Sequence, residues 1–309
     1  MVERQDVRTA MDRLLAAGSA PSDVRSVWTQ QSGARTHHIE AGSGAPVVLL
    51  HGGTGGGANW FRLVGPLATH FRVLAPDLPG FGLSDPIPVV RPLGTSAAER
   101  LVDWMAQNDV TDALMVGTSF GGLAALRVAQ RSSRVSRLLL LDAAGLGRGI
   151  HPAVRVATAL PLTRLLMAPS RRGTAAVLRL LLTSDLSLVS ATQQRALIDY
   201  LLTTARAAGT KYLALTLEMF AGAGGQREVL GSDELAGLHL PVSIVWGERD
   251  RLLPLESARL AAQALPDARL IVLPGTGHSP NWERPEAVVT AIMDLSSRRA
   301  RALPDRGCD

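Results

Sequence analysis

The chain has 309 residues, of which 46% are hydrophobic and 19% charged, so it can bury a sizeable core and is not disordered. Lys211 is the only lysine among 32 basic residues, and the net charge is +5, a small excess for a chain of this length. Aromatic residues make up only 4% of the chain. The low charge and the scarcity of aromatic rings argue against a nucleic-acid partner.

The cysteine content and the hydropathy pattern restrict the kinds of site and the cellular location that we expect. Cys308 is the single cysteine, which excludes an internal disulfide framework and a multi-cysteine metal site. The first residues are charged with both signs, and no apolar run reaches the roughly 18 residues of a membrane span. We therefore expect a cytoplasmic protein without a membrane span. The sequence leaves the oligomeric state open, a homodimer included.

Short apolar runs alternate with stretches of helical period, which is typical of a mostly parallel sheet covered by helices. The predicted strands span residues 24–31, 35–40, 46–50, 71–75, 113–116, 135–141, 242–246 and 268–273. The predicted helices between them span residues 59–68, 96–108, 120–131, 255–265 and 285–298. The chain is therefore predicted to have an α/β fold.

One long interval interrupts the alternation, between the sixth and the seventh predicted strand. Its pattern predicts helices at 153–160, 162–167, 174–182, 191–204 and 211–220, followed by a glycine loop at 222–225. Because the strand order resumes afterwards, we interpret residues 146–235 as a helical lid inserted into a core of residues 24–145 and 236–298. Residues 1–23 are predicted to form a helical extension, and residues 299–309 a flexible tail.

Residues 117–121 read G-x-S-x-G between a predicted strand and a predicted helix. A sharp strand-to-helix turn at this point would project Ser119 above the sheet. The helix that begins at Phe120 would direct its unpaired N–H groups and its positive dipole end at the same place. The pattern indicates a nucleophilic serine, whereas a glycine- and serine-rich turn without chemistry is the plainer alternative.

Residues 51–57 read HGGTGGG directly after a predicted strand. A phosphate-binding loop is one interpretation, but the spacing and the lysine of such loops are missing. We favour an oxyanion loop, in which backbone N–H groups stabilise the negative charge of acyl transfer. The predicted donors are the N–H groups of Gly53 and Phe120, and His51 is expected to brace the loop.

Ser119 has a candidate acid and a candidate base, because Asp250 follows the seventh predicted strand and His278 follows the eighth. Carboxyl ends of parallel strands share one edge of a sheet, so both side chains are expected near Ser119. The order Ser119, Asp250, His278 matches one of the convergent Ser-His-acid arrangements. Asp142 also ends a strand and is the competing acid, and we favour Asp250. Neither a metal site nor a cofactor is predicted.

These motifs together resemble the lid-bearing α/β-hydrolases. The resemblance rests on HGG after the third strand, DLPGFGLSD at 77–85, GTSFGG at 117–122 around Ser119, GERD at 247–250 and GTGHSPNWERPE at 275–286. It spans roughly residues 24–298. It implies the α/β-hydrolase fold: a mostly parallel eight-stranded sheet, helices on both faces, and a helical lid after the sixth strand. In this family residues 77–85 form a structural loop beside the site.

The predicted function is a serine hydrolase that cleaves carboxylic esters through an acyl-enzyme on Ser119. The alternative within the family is hydrolysis of a carbon–carbon bond in ring-fission products, since the glycine-rich loop is similar to that of meta-cleavage product hydrolases. Those enzymes usually carry Asn and Trp where this chain has Thr118 and Ser279. An inactive ligand-binding protein is the alternative from another class. The predicted substrate is a small apolar ester or a keto acid.

The charge of the lid bears on that choice. Between Arg148 and Lys211 there are nine basic and two acidic residues, an excess that could attract a carboxylate-bearing substrate. The other interpretation is that the arginines lie on solvated helix faces, and we favour it. Leucine and alanine dominate the opposite faces, so the roof of the pocket is expected to be apolar.

Overall fold

The sheet is built from one antiparallel hairpin followed by parallel strands. The computed structural model describes residues 2–18, 20–88, 90–152, 154, 169–209 and 225–298. Its strands are β1 (Arg25–Gln31), β2 (Ala34–Ala41), β3 (Pro46–Leu50), β4 (Arg72–Pro76), β5 (Ala113–Thr118), β6 (Val135–Leu141), β7 (Val242–Gly247) and β8 (Ala268–Leu273). Their order is β1-β2-β4-β3-β5-β6-β7-β8, and only the β1–β2 and β2–β4 pairs are antiparallel. The predicted eight-stranded, mostly parallel sheet is confirmed.

Helices cover both faces of this sheet. Among the described residues the α-helices are α1 (Arg4–Ala17), α2 (Val64–Ala68), α3 (Leu93–Gln107), α4 (Phe120–Arg131), α5 (Arg171–Val177), α6 (Ala191–Ala208), α7 (Ser232–Ala236), α8 (Leu255–Ala264), α9 (Pro280–Glu283) and α10 (Pro285–Ser297). No helix in this part of the chain is both long enough and apolar enough to cross a membrane.

The core has two layers because side chains alternate between the faces of each strand. Val48 and Leu50 of β3 belong to the cluster that contains the apolar sides of α3 and α4. Val47 and Leu49 of the same strand belong to the other cluster, which contains α1, α2 and α10. Burial on both faces explains why the strands read as continuous apolar runs.

The N-terminal helix α1 packs on the inserted segment as well as on the sheet. Its buried Met11 and Leu14 share a cluster with Leu197 and Leu201 of α6. The side chain of Gln193 donates a hydrogen bond to the carbonyl of Ala17 over 3.0 Å. The N-terminal extension therefore holds α6 against the core.

The predicted helix at 59–68 is wrong in part. The structure has a 3₁₀ turn at Gly57–Trp60 and then the short helix α2. Pro66 explains the break, because proline has no N–H and its ring clashes with the carbonyl four residues earlier. A continuous helix from Asn59 through Pro66 is therefore disfavoured.

The inserted segment is helical where the structure describes it. The predicted helix at 191–204 is confirmed as α6, which begins at a capping box of Ser190 and Gln193. The predicted helix at 174–182 is only half right, because α5 ends at Val177 and Leu178–Leu182 forms a π-helical turn. The helices predicted at 153–160, 162–167 and 211–220 and the loop at 222–225 lie almost wholly outside the described residues.

A buried carboxylate joins three segments at the carboxyl end of β4. One oxygen of Asp77 accepts from the N–H of Gly57 (2.6 Å), and the other accepts from the N–H of Leu83 (2.8 Å) and from Nδ1 of His37 (2.7 Å). Burial alone would raise the pKa of Asp77, but His37 and the Leu83 N–H hold the pKa below its usual value. Asp77 thus fixes the end of the glycine-rich loop and the loop at 77–85.

We predict that Asp77→Ala lowers the free energy of unfolding by about 3–5 kcal/mol, because it leaves three buried donors without their acceptor. Urea denaturation measures this change. Since the folded pKa lies below the unfolded one, the contribution is complete above the unfolded pKa and is lost as the pH falls through the folded one. The difference between wild type and variant should therefore narrow in acid.

The matched control is Asp85→Asn, in the same loop but nearer the surface, where Asp85 pairs with Arg4 and Arg35. Its removal should cost at most about 1 kcal/mol. Equal losses for the two variants would contradict the role given to Asp77.

Candidate active site

Ser119 occupies a strained turn between β5 and α4. Its backbone angles are φ 50° and ψ −121°, a conformation that costs an L-residue about 1–3 kcal/mol. The turn persists because the Ser119 N–H donates to the carbonyl of Leu141 over 3.0 Å and the Ser119 carbonyl accepts from the N–H of Ala144 over 2.9 Å. The neighbouring strand β6 therefore holds the half-buried Ser119 at the carboxyl edge of the sheet.

Two glycines allow this turn to pass close to the surrounding backbone. A Cβ atom on Gly117 would collide with the carbonyl of Gly121, and one on Gly121 would collide with the carbonyls of Leu50 and His51. The glycines of the G-x-S-x-G pattern are thus required by packing. They bring β5, α4 and the start of the glycine-rich loop into direct contact.

The glycine-rich loop lies against Ser119. A Cβ atom on Gly52 would sit 3.2 Å from the Cβ of Ser119. His51 braces the loop as predicted: its Nδ1 lies 2.7 Å from the carbonyl of Gly52, and its Nε2 accepts from the N–H of Leu78 over 2.9 Å. Nδ1 therefore carries the hydrogen, and burial lowers the pKa of His51, so the ring is a neutral structural link.

His278 and Asp250 are hydrogen-bonded to each other. The distance from His278 Nδ1 to Asp250 Oδ2 is 2.8 Å, and both side chains are almost completely buried. The other oxygen of Asp250 accepts from the N–H groups of Leu252 (2.7 Å) and Leu253 (3.0 Å). Because a carboxylate only accepts, Nδ1 of the imidazole is the donor, and Nε2 is left as the proton acceptor.

Nε2 of His278 has no hydrogen-bond partner within the described part of the chain. We expected His278 near hydrogen-bonding reach of both Ser119 and Asp250, and the structure shows the bond to Asp250 alone. Catalytic contacts are often long before a substrate binds and then shorten. Ser119 and His278 follow β5 and β8 at the same edge of the sheet.

Asp142, the competing acid, lies close to Asp250 and makes no hydrogen bond to His278 in the described structure. Asp142 accepts from the N–H of Gly247 over 3.0 Å. Asp142, Asp250 and His278 form the one cluster of potential metal ligands found in the described residues, with ligand atoms within 4.8 Å of one another. Since His278 and Asp250 already pair, this cluster is better explained as an acid–base set than as a metal site.

Glu283 connects the loop of His278 to the inserted segment, a contact that sequence reasoning missed. One of its oxygens accepts from the N–H of Gly277 (2.9 Å). The other accepts from the N–H of Ser184 (2.8 Å) and from its hydroxyl (2.6 Å). No pattern in the sequence pairs residue 184 with residue 283, because the contact depends on how the insertion returns over the sheet.

A second Ser-His-Asp chain runs through the hairpin, and it too was missed. Ser26 Oγ lies 2.5 Å from His37 Nε2, and His37 Nδ1 lies 2.7 Å from Asp77. Ser26 lies within β1, however, with neither a strand-to-helix turn nor a glycine-rich loop at its position. It is therefore a structural network and a natural control for Ser119.

Comparison with known proteins identifies relatives along most of the chain. The family model described as alpha/beta hydrolase fold matches residues 45–285. A 2-hydroxy-6-oxo-6-phenylhexa-2,4-dienoate hydrolase of Burkholderia cepacia is 30% identical over 270 residues, which cover 84% of this chain and 91% of that protein. A 2-hydroxy-6-oxononadienedioate/2-hydroxy-6-oxononatrienedioate hydrolase of Comamonas testosteroni is 29% identical over 270 residues, with the same coverage of 84% and 91%.

Among solved structures, a carboxylesterase of Bacillus subtilis superimposes with a TM-score of 0.76 at 21% identity, covering 95% of this chain and 98% of that one. At this identity the likeness concerns the fold alone. The region matched by the family model contains Gly53, Ser119, Asp250 and His278.

We predict that Gly121→Ala destabilises the protein by about 1–3 kcal/mol or more, because its methyl group would meet two backbone carbonyls that cannot move independently. The control is Gly237→Ala, at an exposed site where the added Cβ makes only ordinary contacts of 3.6 Å. That variant should be neutral or more stable by about 0.4–1 kcal/mol. Thermal unfolding of both variants tests the claim, which fails if Gly121→Ala is as stable as wild type.

Proposed function

This chain belongs to the α/β-hydrolase fold family, and we propose that it is a serine hydrolase that cleaves carboxylic esters through an acyl-enzyme on Ser119. The observation that carries the proposal is the 2.8 Å hydrogen bond between His278 and Asp250, at the sheet edge where Ser119 is held in a strained turn. The relatives named above are hydrolases, which favours an enzyme over an inactive ligand-binding protein.

In the proposed mechanism, Nε2 of His278 removes the proton of the Ser119 hydroxyl while Oγ attacks the ester carbonyl carbon. Asp250 keeps the hydrogen of the neutral imidazole on Nδ1 and stabilises the imidazolium that forms. The imidazolium then gives its proton to the departing alkoxide, which leaves the acyl group on Oγ. A water molecule, activated by the same Nε2, hydrolyses the acyl-enzyme and restores Ser119.

The N–H groups of Gly53 and Phe120 are the proposed donors to the oxyanion that forms on the carbonyl oxygen. Phe120 opens α4, so its N–H belongs to the first turn, whose N–H groups have no intrahelical acceptor. Gly53 follows Gly52, which packs against Ser119, so Gly53 belongs to the loop that contacts the proposed nucleophile. Preorganised backbone N–H groups of this kind stabilise an oxyanion more strongly than water does.

We further propose that residues 146–235 act as a lid over this edge. Two contacts support the assignment. A Cβ atom on Gly277 would lie 2.5 Å from the amide nitrogen of Ser184, and one on Gly55 would lie 2.9 Å from the Leu201 side chain. The described parts of the insertion therefore touch both the loop of His278 and the glycine-rich loop.

A cavity of about 400 Å³ borders Phe120, the residue that follows Ser119, and is the proposed binding pocket for the substrate, although Ser119 and His278 are not among its lining residues. Its wall is mostly apolar and includes Leu78, Phe81, Leu93 and Ala207. An apolar wall with few polar groups recognises substrates by size, and each methylene contributes only about 1–3 kcal/mol. The proposed substrate is accordingly a small apolar ester.

Carbon–carbon bond hydrolysis of a ring-fission product is the second candidate, favoured by relatives of 29–30% identity that are named for dienoate substrates. The same three residues would serve it. Thr118 and Ser279, however, replace the Asn and Trp usual beside the nucleophile and the histidine of those enzymes. These two positions flank the reacting groups, so we place ester hydrolysis first.

The arginines of the insertion also favour a neutral substrate. Of the nine basic residues from Arg148 to Lys211, the structure describes Arg148, Arg171, Arg172, Arg179, Arg195 and Arg206, and all six are exposed. Arg171 is further paired with Asp199. The described basic side chains of this segment are thus solvated and do not line an interior site.

We predict that Ser119→Ala lowers kcat/KM for p-nitrophenyl esters by about 10⁴-fold or more, since the nucleophile is lost. A labelled fluorophosphonate should modify wild type and fail to modify this variant. The control is Ser26→Ala, which removes the serine of the other Ser-His-Asp chain and should keep both activity and labelling. Full ester hydrolysis by Ser119→Ala would refute the acyl-enzyme.

Substrate choice has its own test. We expect kcat/KM for a neutral apolar ester to equal or exceed that for a carboxylate-bearing dienoate, with a gradual dependence on acyl length. The comparison is made at low and at high salt, because salt screens attraction by the arginines. A salt-sensitive preference of about a hundredfold for the anion would instead favour carbon–carbon bond hydrolysis.

A further inference from the structure

Asp142 is a completely buried carboxyl group close to Asp250, and one ligand atom each of Asp142, Asp250 and His278 lies within 4.8 Å of the others. It follows β6 with a φ of 41°, and its backbone N–H donates to the carbonyl of Val245 over 3.1 Å. Its Oδ1 accepts from the N–H of Gly247, whereas its Oδ2 has no hydrogen-bond partner among the described residues. A buried polar atom without a partner is costly, so Oδ2 requires an explanation.

The groups around Asp142 are unequally supplied with donors. Asp250 accepts from two backbone N–H groups and from His278, a set that stabilises its negative charge. Among the described residues, Asp142 accepts from one N–H group only. Glu283 also faces this region, and it is held by the N–H groups of Gly277 and Ser184. Since neighbouring buried carboxylates cannot all be charged cheaply, a proton is expected on the acid with the fewest donors.

We propose that Asp142 is a positioning residue that holds a proton on Oδ2 as a neutral carboxylic acid and donates it in a hydrogen bond to the carboxylate of Asp250. The pair then carries a single negative charge, which faces His278. This inference rests on the proposed function, because it assigns Asp142 a role through Asp250.

The electrostatics of the cluster support this assignment. Burial raises the pKa of Asp142 well above its usual value, and the charges of Asp250 and Glu283 act in the same direction. The N–H of Gly247 opposes the shift but does not cancel it. A proton on Oδ2 also gives this buried atom a hydrogen-bond partner, because its O–H group can donate to the carboxylate of Asp250.

The consequence for the site is a fixed orientation of Asp250. The N–H groups of Leu252 and Leu253 donate to Oδ1 of Asp250, and Asp142 donates a further hydrogen bond to the same carboxylate. The carboxylate of Asp250 is therefore prevented from rotating away from His278. The imidazole is then held with its hydrogen on Nδ1 and with Nε2 free to accept a proton.

The test compares wild type with Asp142→Asn, whose amide keeps both a donor toward Asp250 and an acceptor for Gly247. A folded pKa above the unfolded one means that wild type loses stability as the pH rises between the two values. Asn does not titrate. The Tm of Asp142→Asn relative to wild type should therefore increase from about pH 5 to about pH 9. Asp85→Asn is the control, because the pKa of Asp85 is lowered and its Tm difference should stay constant over that range.

Turnover supplies the second measurement. Asp142→Asn should keep kcat within about threefold of wild type, whereas Asp142→Ala, which loses the donor, should lose about 10–100-fold as Asp250 and His278 become less well oriented. Infrared spectroscopy of wild type at neutral pH should show the carbonyl stretch of a protonated carboxylic acid that is shielded from water, and this band should be absent from Asp142→Asn. The wild-type measurement holds even if a variant does not fold.

A Tm difference that is independent of pH, together with the absence of a neutral carboxylic acid band, would overturn the proposal. So would equal turnover for the Asn and Ala variants. These readouts are separable from the proposed function, since stability and infrared signals do not require catalysis. Retained ester hydrolysis in Ser119→Ala would refute the function while leaving the protonation of Asp142 testable.

Discussion

The strained backbone of Ser119 is the constraint on which the site depends. A serine with φ 50° is stable only where its surroundings leave no alternative, and here three elements act together. β6 supplies the acceptor for the Ser119 N–H, α4 starts one residue later, and Gly121 packs directly on the glycine-rich loop. The position of the proposed nucleophile and that of the proposed oxyanion donors are therefore set by one packing arrangement.

Buried acids likewise fix the loops that surround Ser119. Asp77 holds the end of the glycine-rich loop, Asp250 orients His278, and Glu283 ties the loop of His278 to the insertion. Each accepts hydrogen bonds from backbone N–H groups, so each loop is fixed by a charge-assisted contact. Asp142 differs because it has one N–H donor, and this difference is the basis for its assignment as a proton-bearing acid.

The sequence predicted the sheet well because its signals are local. Apolar runs and flanking glycines identify strands, and the strand ends place Ser119, Asp250 and His278 at one edge without knowledge of the loops. The break at Pro66 was missed because apolar periodicity was followed across a proline. The π-helical turn at Leu178–Leu182 has no periodic signature that separates it from an α-helix.

Contacts between segments that are distant along the chain could not be predicted from the sequence. The pairing of Ser184 with Glu283, the Ser26–His37–Asp77 chain and the position of Asp142 close to Asp250 all depend on tertiary packing. The strand pattern did identify Asp142 as a competing acid, since Asp142 follows a predicted strand. Only the geometry shows that Asp250 alone reaches His278, which makes the two acids partners of one another.

The central claim is that an acyl group is carried by Ser119, and rapid acid quenching tests it most directly. A p-nitrophenyl ester is mixed with the enzyme and quenched during the first turnover, and the peptides are mapped by mass spectrometry. The account predicts a burst of nitrophenol and the mass of one acyl group on the peptide that contains Ser119. Turnover without any acylated peptide, or with the acyl group on another residue, would contradict it.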